Sequence, residues 1–280
     1  MVRTSTLRGV LLLGILLSAL PLVAQNGEGE LDATPPKGIT VAQIVERFAA
    51  RETLFKQARE RYTWRQDVRV QTLEGQHVDG EYREVFDVVF DNKGRRVENV
   101  VFAPQSSLQR IILTPEDMQD IRHRMPFVLT TAELPEYDIQ YVGHQAVDEL
   151  TTYVFDIHPK KIEKNQRYFD GRIWVDDRDF QIVKTYGKSV PDIVKKHGDE
   201  NLFPRFTTYR EQIDGEFWFP TYTKVDDTLH FSNEDVHTRQ IIKYTDYKRF
   251  GVSSHIYMNG KELEGGDKSN PAPETKPQGK

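Results

Sequence analysis

The sequence predicts a mainly β protein with a minority of helix, α+β in class, built on an antiparallel sheet; three observations carry that prediction. Apolar and polar residues alternate at period two through most of the chain beyond residue 62. Short turns rich in Gly, Asp and Asn separate the alternating runs, and connections that short make neighbouring strands antiparallel. A single long amphipathic helix comes before all of them, its apolar residues recurring at a period of about 3.6.

The chain opens with Arg3 and Arg8 and no acids, an apolar run over residues 10–17, and a Ser18-Ala19-Leu20-Pro21 break before Ala24. This is the pattern of a secretory signal peptide over residues 1–24, with cleavage expected near Ala24-Gln25. The run is shorter than the roughly 20 apolar residues of a membrane helix, so no permanent membrane anchor is expected. A lipid anchor needs a cysteine after the cut, and the chain contains none. The expected location is periplasmic or secreted. Residues 25–37 and 261–280 are polar, Gly- and Pro-bearing and poor in core-forming residues, which predicts a disordered linker and a disordered tail. Residues 38–260 between them are read as one domain.

That domain begins at Thr40, where Thr40 and Gln43 form a capping-box pattern and Ile39 can staple onto Ile44. Val41, Ile44, Val45, Phe48, Phe55, Ala58 and Tyr62 then mark one apolar stripe, which needs a partner surface. From residue 62 to 73 the even positions Tyr62, Trp64, Val68 and Val70 oppose Thr63, Arg65, Asp67, Arg69 and Gln71. Strands of the same kind are expected over 81–91, 95–103, 137–142, 151–158, 166–175, 180–186, 205–213, 216–224 and 236–249. Thr114-Pro115-Glu116-Asp117 predicts a helix start with an N-cap, a proline in the first turn and acids near the dipole. Met118, Ile121 and Met125 form its apolar face, and Pro126 ends it. A second helical turn is expected near Thr131, before Pro135.

Composition excludes several functions. With no cysteine there are no disulfides, thiolate metal sites or thiol nucleophiles. Loss of Arg3 and Arg8 with the signal takes the formal charge from -5 to -7, and an acidic chain with interspersed charges lacks the basic face that nucleic acid requires. A monomer without a cofactor is expected. The Asp176, Asp177 and Asp179 corner has carboxylates in one loop, but not the spacing of a calcium loop, and Asp-rich corners arise from turn chemistry alone. The eight histidines form no His-x-His or His-x-x-x-His pair, and no serine sits in a Gly-x-Ser-x-Gly elbow. No metal site and no catalytic residue are therefore assigned. In Glu216-Phe217-Trp218-Phe219 the alternating positions are all large and apolar, so both faces of that strand need cover.

The stretches Tyr141-Val142-Gly143-His144-Gln145-Ala146-Val147-Asp148 and Thr152-Tyr153-Val154-Phe155-Asp156-Ile157-His158-Pro159-Lys160 resemble the outer-membrane lipoprotein-sorting (LolA-like) superfamily. Gly171-Arg172-Ile173-Trp174-Val175-Asp176, Ile182-Val183-Lys184 and the run from Ile242-Lys243-Tyr244 to Lys248-Arg249-Phe250 extend the resemblance. It implies a strongly curved antiparallel sheet, an unclosed half-barrel, covered on its concave face by the N-terminal helix and the short mid-chain helix. It also implies an apolar space between helices and sheet, suited to acyl chains.

The expected function is then a non-enzymatic periplasmic carrier or sensor of an apolar or lipidated ligand, such as a lipoprotein acyl chain. Phe48, Phe55, Met118, Ile121, Met125 and Trp218 would be the ligand-lining residues. Two alternatives stay open: an envelope protein-interaction module without a small ligand, and a hydrolase whose carboxylates are assembled in space.

Overall fold

The computed structural model describes residues 27–91, 93–194, 200–250, 256–258 and 261–263; the expected signal peptide and most of the expected tail lie outside them. Helix α1, Val41–Arg59, starts with the predicted capping box: Gln43 N donates to Thr40 Oγ1 at 3.2 Å, and Thr40 N donates to Gln43 Oε1 at 2.9 Å. Ile44, Phe48, Ala49 and Phe55 of α1 are fully buried.

Three strands follow, β1 Tyr62–Glu74, β2 His77–Phe90 and β3 Arg96–Phe102. After a helical insert come β4 Tyr137–Val147, β5 Leu150–Pro159, β6 Tyr168–Asp176 and β7 Ile182–Val190. A small pair, β8 Ile193–Val194 with β9 Glu200–Asn201, precedes β10 Phe206–Ile213, β11 Phe217–His230 and β12 Asp235–Arg249. The last pair is β13 Ile256–Met258 with β14 Lys261–Leu263, so three residues of the expected tail pair as a strand.

Ten of these strands form one antiparallel sheet in the order β3-β2-β1-β12-β11-β10-β7-β6-β5-β4. The order is not a simple meander. β1 leaves its neighbour β2 on one side and on the other pairs with β12, from Tyr62 opposite Arg249 to Leu73 opposite His237. β3 and β4 end up at opposite ends of the sheet and do not pair, so the sheet is not closed into a barrel.

Packing shows how far the sheet bends. Phe86 and Val88 of β2 share one core cluster with Phe155 and Ile157 of β5, and both groups meet Ile44 and Phe48 of α1. In a flat sheet, strands about 4.8 Å apart would separate β2 from β5 by roughly 34 Å, far more than the 10–12 Å diameter of a helix. The ends must therefore curl toward α1, which lies on the concave side. Register shifts in β1, β2, β4, β6 and β10 supply local bends.

The mid-chain insert also caps the concave side, but in two pieces. Helix α2, Pro115–Gln119, has its own capping box between Thr114 and Asp117 and runs directly into a wider π-helical turn, Asp120–Arg124. Ile121 and Met125 are buried and Met118 packs against them from a half-buried position. The turn expected near Thr131 is a short 3-10 helix, Leu134–Glu136.

The expected linker requires a correction. Residues 27–34 pair with β4 through bridges from Glu28 to Val147 and from Asp32 to His144. Composition excludes a core contribution from this segment, but edge pairing uses backbone groups and needs no apolar side chain. Gly143, at φ +147, completes the fit, because any Cβ there would run into the Asp32 carbonyl.

Candidate functional site

Of the six side chains expected to line a ligand chamber, Phe48, Ile121 and Met125 lie in the main core cluster, with Met118 against it. Phe55 belongs to a separate cluster with Tyr62, Phe217 and Phe219. Trp218 is on the other face of the sheet: it packs beside Val147, Val154, Trp174 and Val183, and its Nε1 donates to Asp179 Oδ2 at 2.7 Å. A side chain on the convex face cannot share a concave chamber, so Trp218 is corrected. The cleft beside Ile121 and Met125 has a volume of about 10 Å³, the room of at most one water.

At the centre of the covered face sits an ion pair. Arg210 Nη1 donates to Glu52 Oε1 at 2.9 Å, with both side chains essentially out of solvent. Arg210 Nη2 also donates to the Phe127 carbonyl, and Ile182 N donates to Glu52 Oε1 at 3.4 Å. Burial pushes the Glu52 carboxyl up, and the Arg210 charge and hydrogen bonds oppose that rise. The pair ties α1 to β7, β10 and the insert. Sequence reasoning missed it, although a signal was present: Glu52 follows Phe48 by four residues and precedes Phe55 by three, inside the apolar stripe.

The convex face carries a groove of about 690 Å³ over β5, β6, β7, β10 and β11. Strand register builds it in rows. Asp156, Arg172, Tyr186, Thr207 and Lys224 are successive cross-strand partners, and so are Trp174, Lys184, Tyr209 and Tyr222. Asp156 accepts both Arg172 Nε at 2.7 Å and Nη2 at 3.0 Å, while Asp170 pairs with His158 Nδ1 at 2.9 Å. Lys184 Nζ lies 3.9 Å from the Trp174 ring centroid and donates to Glu28 Oε1 at 2.5 Å. Lys224 Nζ is 5.5 Å from the Tyr209 ring.

The two sheet edges are the other surfaces of note. Along β4, residues 27–34 make four backbone hydrogen bonds, including Asp32 N to His144 O at 2.8 Å and His144 N to Asp32 O at 2.7 Å. Along the outer edge of β3, no strand pairs among the described residues. There Val100, Val101 and Phe102 are 52%, 51% and 48% exposed in succession, so apolar side chains project from both faces of an open edge. Beneath the start of β3, Glu98 accepts hydrogen bonds from Arg96 and Arg122, each at 2.8 Å. Burial, with Arg96, Arg59, Arg124 and Arg122 around it, brings the His123 imidazole down to about 4.

The acidic corner is used by its own turn. Asp176 Oδ2 accepts from Arg178 N at 3.1 Å and Asp179 N at 3.0 Å, and Asp179 Oδ1 accepts from Gln181 N. Among the described residues no group of three or more His, Asp or Glu side chains is placed to hold a metal ion. No helix among them is long and apolar enough to cross a membrane.

No protein-family model and no curated protein matches the chain. Several solved structures are similar, three of them as follows. A DUF1329 family protein from Desulfovibrio piger aligns at 14% identity and a TM-score of 0.34, over 71% of this chain and 90% of that one. The MucA/MucB complex structure from Pseudomonas aeruginosa aligns at 10% identity and a TM-score of 0.22, over 75% and 99% of the two chains. A structure of MucB alone gives 11% identity and 0.25, over 72% and 92%. At such scores the likeness carries no argument about function, which rests on this chain's own residues.

Proposed function

We propose that the exported chain is a non-enzymatic envelope interaction module whose open β3 edge takes up an extended segment of a partner protein. The observation that carries this reading is the run of half-exposed Val100, Val101 and Phe102 on a strand whose outer edge is unpaired among the described residues. Unpaired backbone groups along a strand are satisfied by another extended backbone, and alternating apolar side chains give such an addition its grip. The same sheet already uses this mode at its opposite end, where residues 27–34 lie along β4.

Packing supports this reading over carriage of an acyl chain. Carriage between helices and sheet requires apolar room, yet Ile44, Phe48 and Phe55 are fully buried and the cleft by Met125 is about 10 Å³. Hydrolysis has less support, since Asp156 and Asp170 in the convex groove are held by Arg172 and His158.

The test places a photo-crosslinking residue at Val101 and, as a control, at Gln71, in the full chain expressed with its signal. The expected result is one discrete adduct with another protein from Val101, absent from Gln71 and lost when Val100→Lys is added. No adduct, identical adducts from both positions, or an adduct of two copies of this chain would each overturn the reading. Native mass spectrometry showing a stoichiometric bound lipid would restore carriage.

A further inference from the structure

We propose that the convex groove is a binding site for an acidic sugar chain, with Lys184, Lys224 and Arg205 seating a carboxylate and Tyr186 and Tyr209 supporting the sugar rings. The groove lies on a sheet face, not an edge. Backbone groups beneath it are engaged in the β5-β6-β7-β10-β11 ladders, so a ligand there is read by side chains and cannot add as a strand.

Charge balance sets the sign of the ligand. The carboxylates lining the groove are Glu28, Asp156 and Asp170, and each already has a cationic or histidine partner in Lys184, Arg172 and His158. Lys224 and Arg205 also line the groove, and neither side chain has an ion-pair partner among the described residues. Two ammonium groups flank one ring, with Lys184 at 5.8 Å and Lys224 at 5.5 Å from Tyr209. The unbalanced cations favour an anion.

A carboxylate already demonstrates the seat. Glu28 comes from residues 27–34, outside the sheet proper, and its Oε1 is 2.5 Å from Lys184 Nζ. Lys184 itself is only 5% exposed and is held against Trp174, so it presents a fixed ammonium. The Glu28 carboxylate, 43% exposed, can be exchanged for that of a ligand without disturbing the sheet.

The rings indicate what carries the anion. Tyr186 is 43% exposed and Tyr209 half-buried, with Arg172 and Asp156 fixed as a planar fork beside them. An aromatic face is electron-rich and meets C–H groups well, while fixed forks of donors and acceptors suit hydroxyls. A pyranose offers both. An acidic peptide would satisfy the cations but would leave its backbone groups unpaired over the sheet face.

Calorimetric titration of the full mature chain with an oligogalacturonate of about six sugars tests this, alongside an uncharged maltose oligomer and a polyglutamate of equal charge. The expected result is binding of the oligogalacturonate alone, weakened about tenfold by Lys224→Ala and by Tyr209→Ala, each about 1.4 kcal/mol. Glu28→Gln frees Lys184 and is expected to tighten binding several-fold. Circular dichroism and Tm confirm that these surface variants fold. The proposal is overturned by no binding of the oligogalacturonate at millimolar concentration, by equal binding of polyglutamate, or by unchanged affinity in both alanine variants.

Discussion

The two ends of the sheet treat the same physical problem in opposite ways. At β4 the edge is covered by residues 27–34, with Gly29 N donating to Ala146 O at 2.8 Å, Gln145 Nε2 to Gly29 O at 2.8 Å and Tyr141 OH to Thr34 O at 3.1 Å. At β3 the edge stands open among the described residues and carries three apolar side chains in a row. Natural edges are usually blunted by Lys, Pro or a covering segment, and residues 99–103 of this one contain no charge at all. The difference teaches that edge cover is a choice made locally. The covering segment is too polar to fold by itself, while the uncovered strand ends in an apolar run, Val100-Val101-Phe102.

The strongest perturbation asks whether the two ends hang from a common support. Glu52→Ala leaves the Arg210 guanidinium buried without its carboxylate, and the expected loss is about 3–5 kcal/mol in chemical denaturation. Hydrogen exchange should rise at β3 and β4 together; a rise at one end alone would show that the ends are independent of α1.

A smaller effect isolates the covered end. Gly143→Val places a branched side chain against Asp32 at a φ suited to glycine, and about 1–3 kcal/mol should be lost. Exchange should quicken in residues 27–34 but not in β3, and light scattering should reveal association through the newly bared β4 edge. If the scattering mass stays that of the unsubstituted protein, the cover does not protect that edge.

Acid should act first at the open end. The folded-state value for His123, about 4, is below the ordinary 6.5, so its contribution to stability is fully present above pH 6.5 and is lost as pH falls through 4. Protonation there adds a charge beside Arg96, Arg59, Arg124 and Arg122. Faster exchange in β3 peptides below pH 6.5, diminished in His123→Gln and absent from β4 peptides, is the expected pattern. The smallest effect is on stability in Val100→Lys, within about 0.5 kcal/mol, because the side chain is half exposed. The crosslink from position 101 to a partner should nevertheless vanish in this variant, and survival of that crosslink would separate binding from the edge.

Much of the architecture follows from local pattern. Tyr62, Trp64, Val68 and Val70 alternate inward as their spacing implies, and both capping boxes form at Thr40 and Thr114. Strand order was not legible, because pairing β1 with β12 depends on contacts between residues separated by most of the chain. The place of residues 27–34 was hidden for another reason: backbone pairing leaves no hydrophobic trace, and its one mark is the glycine at 143. Candidate sites were harder still. Phe48 and Phe55 of the expected chamber lie in two separate core clusters, whereas the convex groove draws its rows from five strands and has no contiguous motif.

The suture between β1 and β12 has a consequence in time. A chain emerging amino end first completes β1, β2 and β3 as a free ribbon, and the strand that flanks β1 on its other side ends only at Arg249. Closing a loop of that length is slow, and the ribbon presents two bare borders until it happens. Late arrival of the final long strand, rather than any local step, therefore governs when this molecule becomes a finished object, and truncation before β12 leaves the early ribbon permanently unmated.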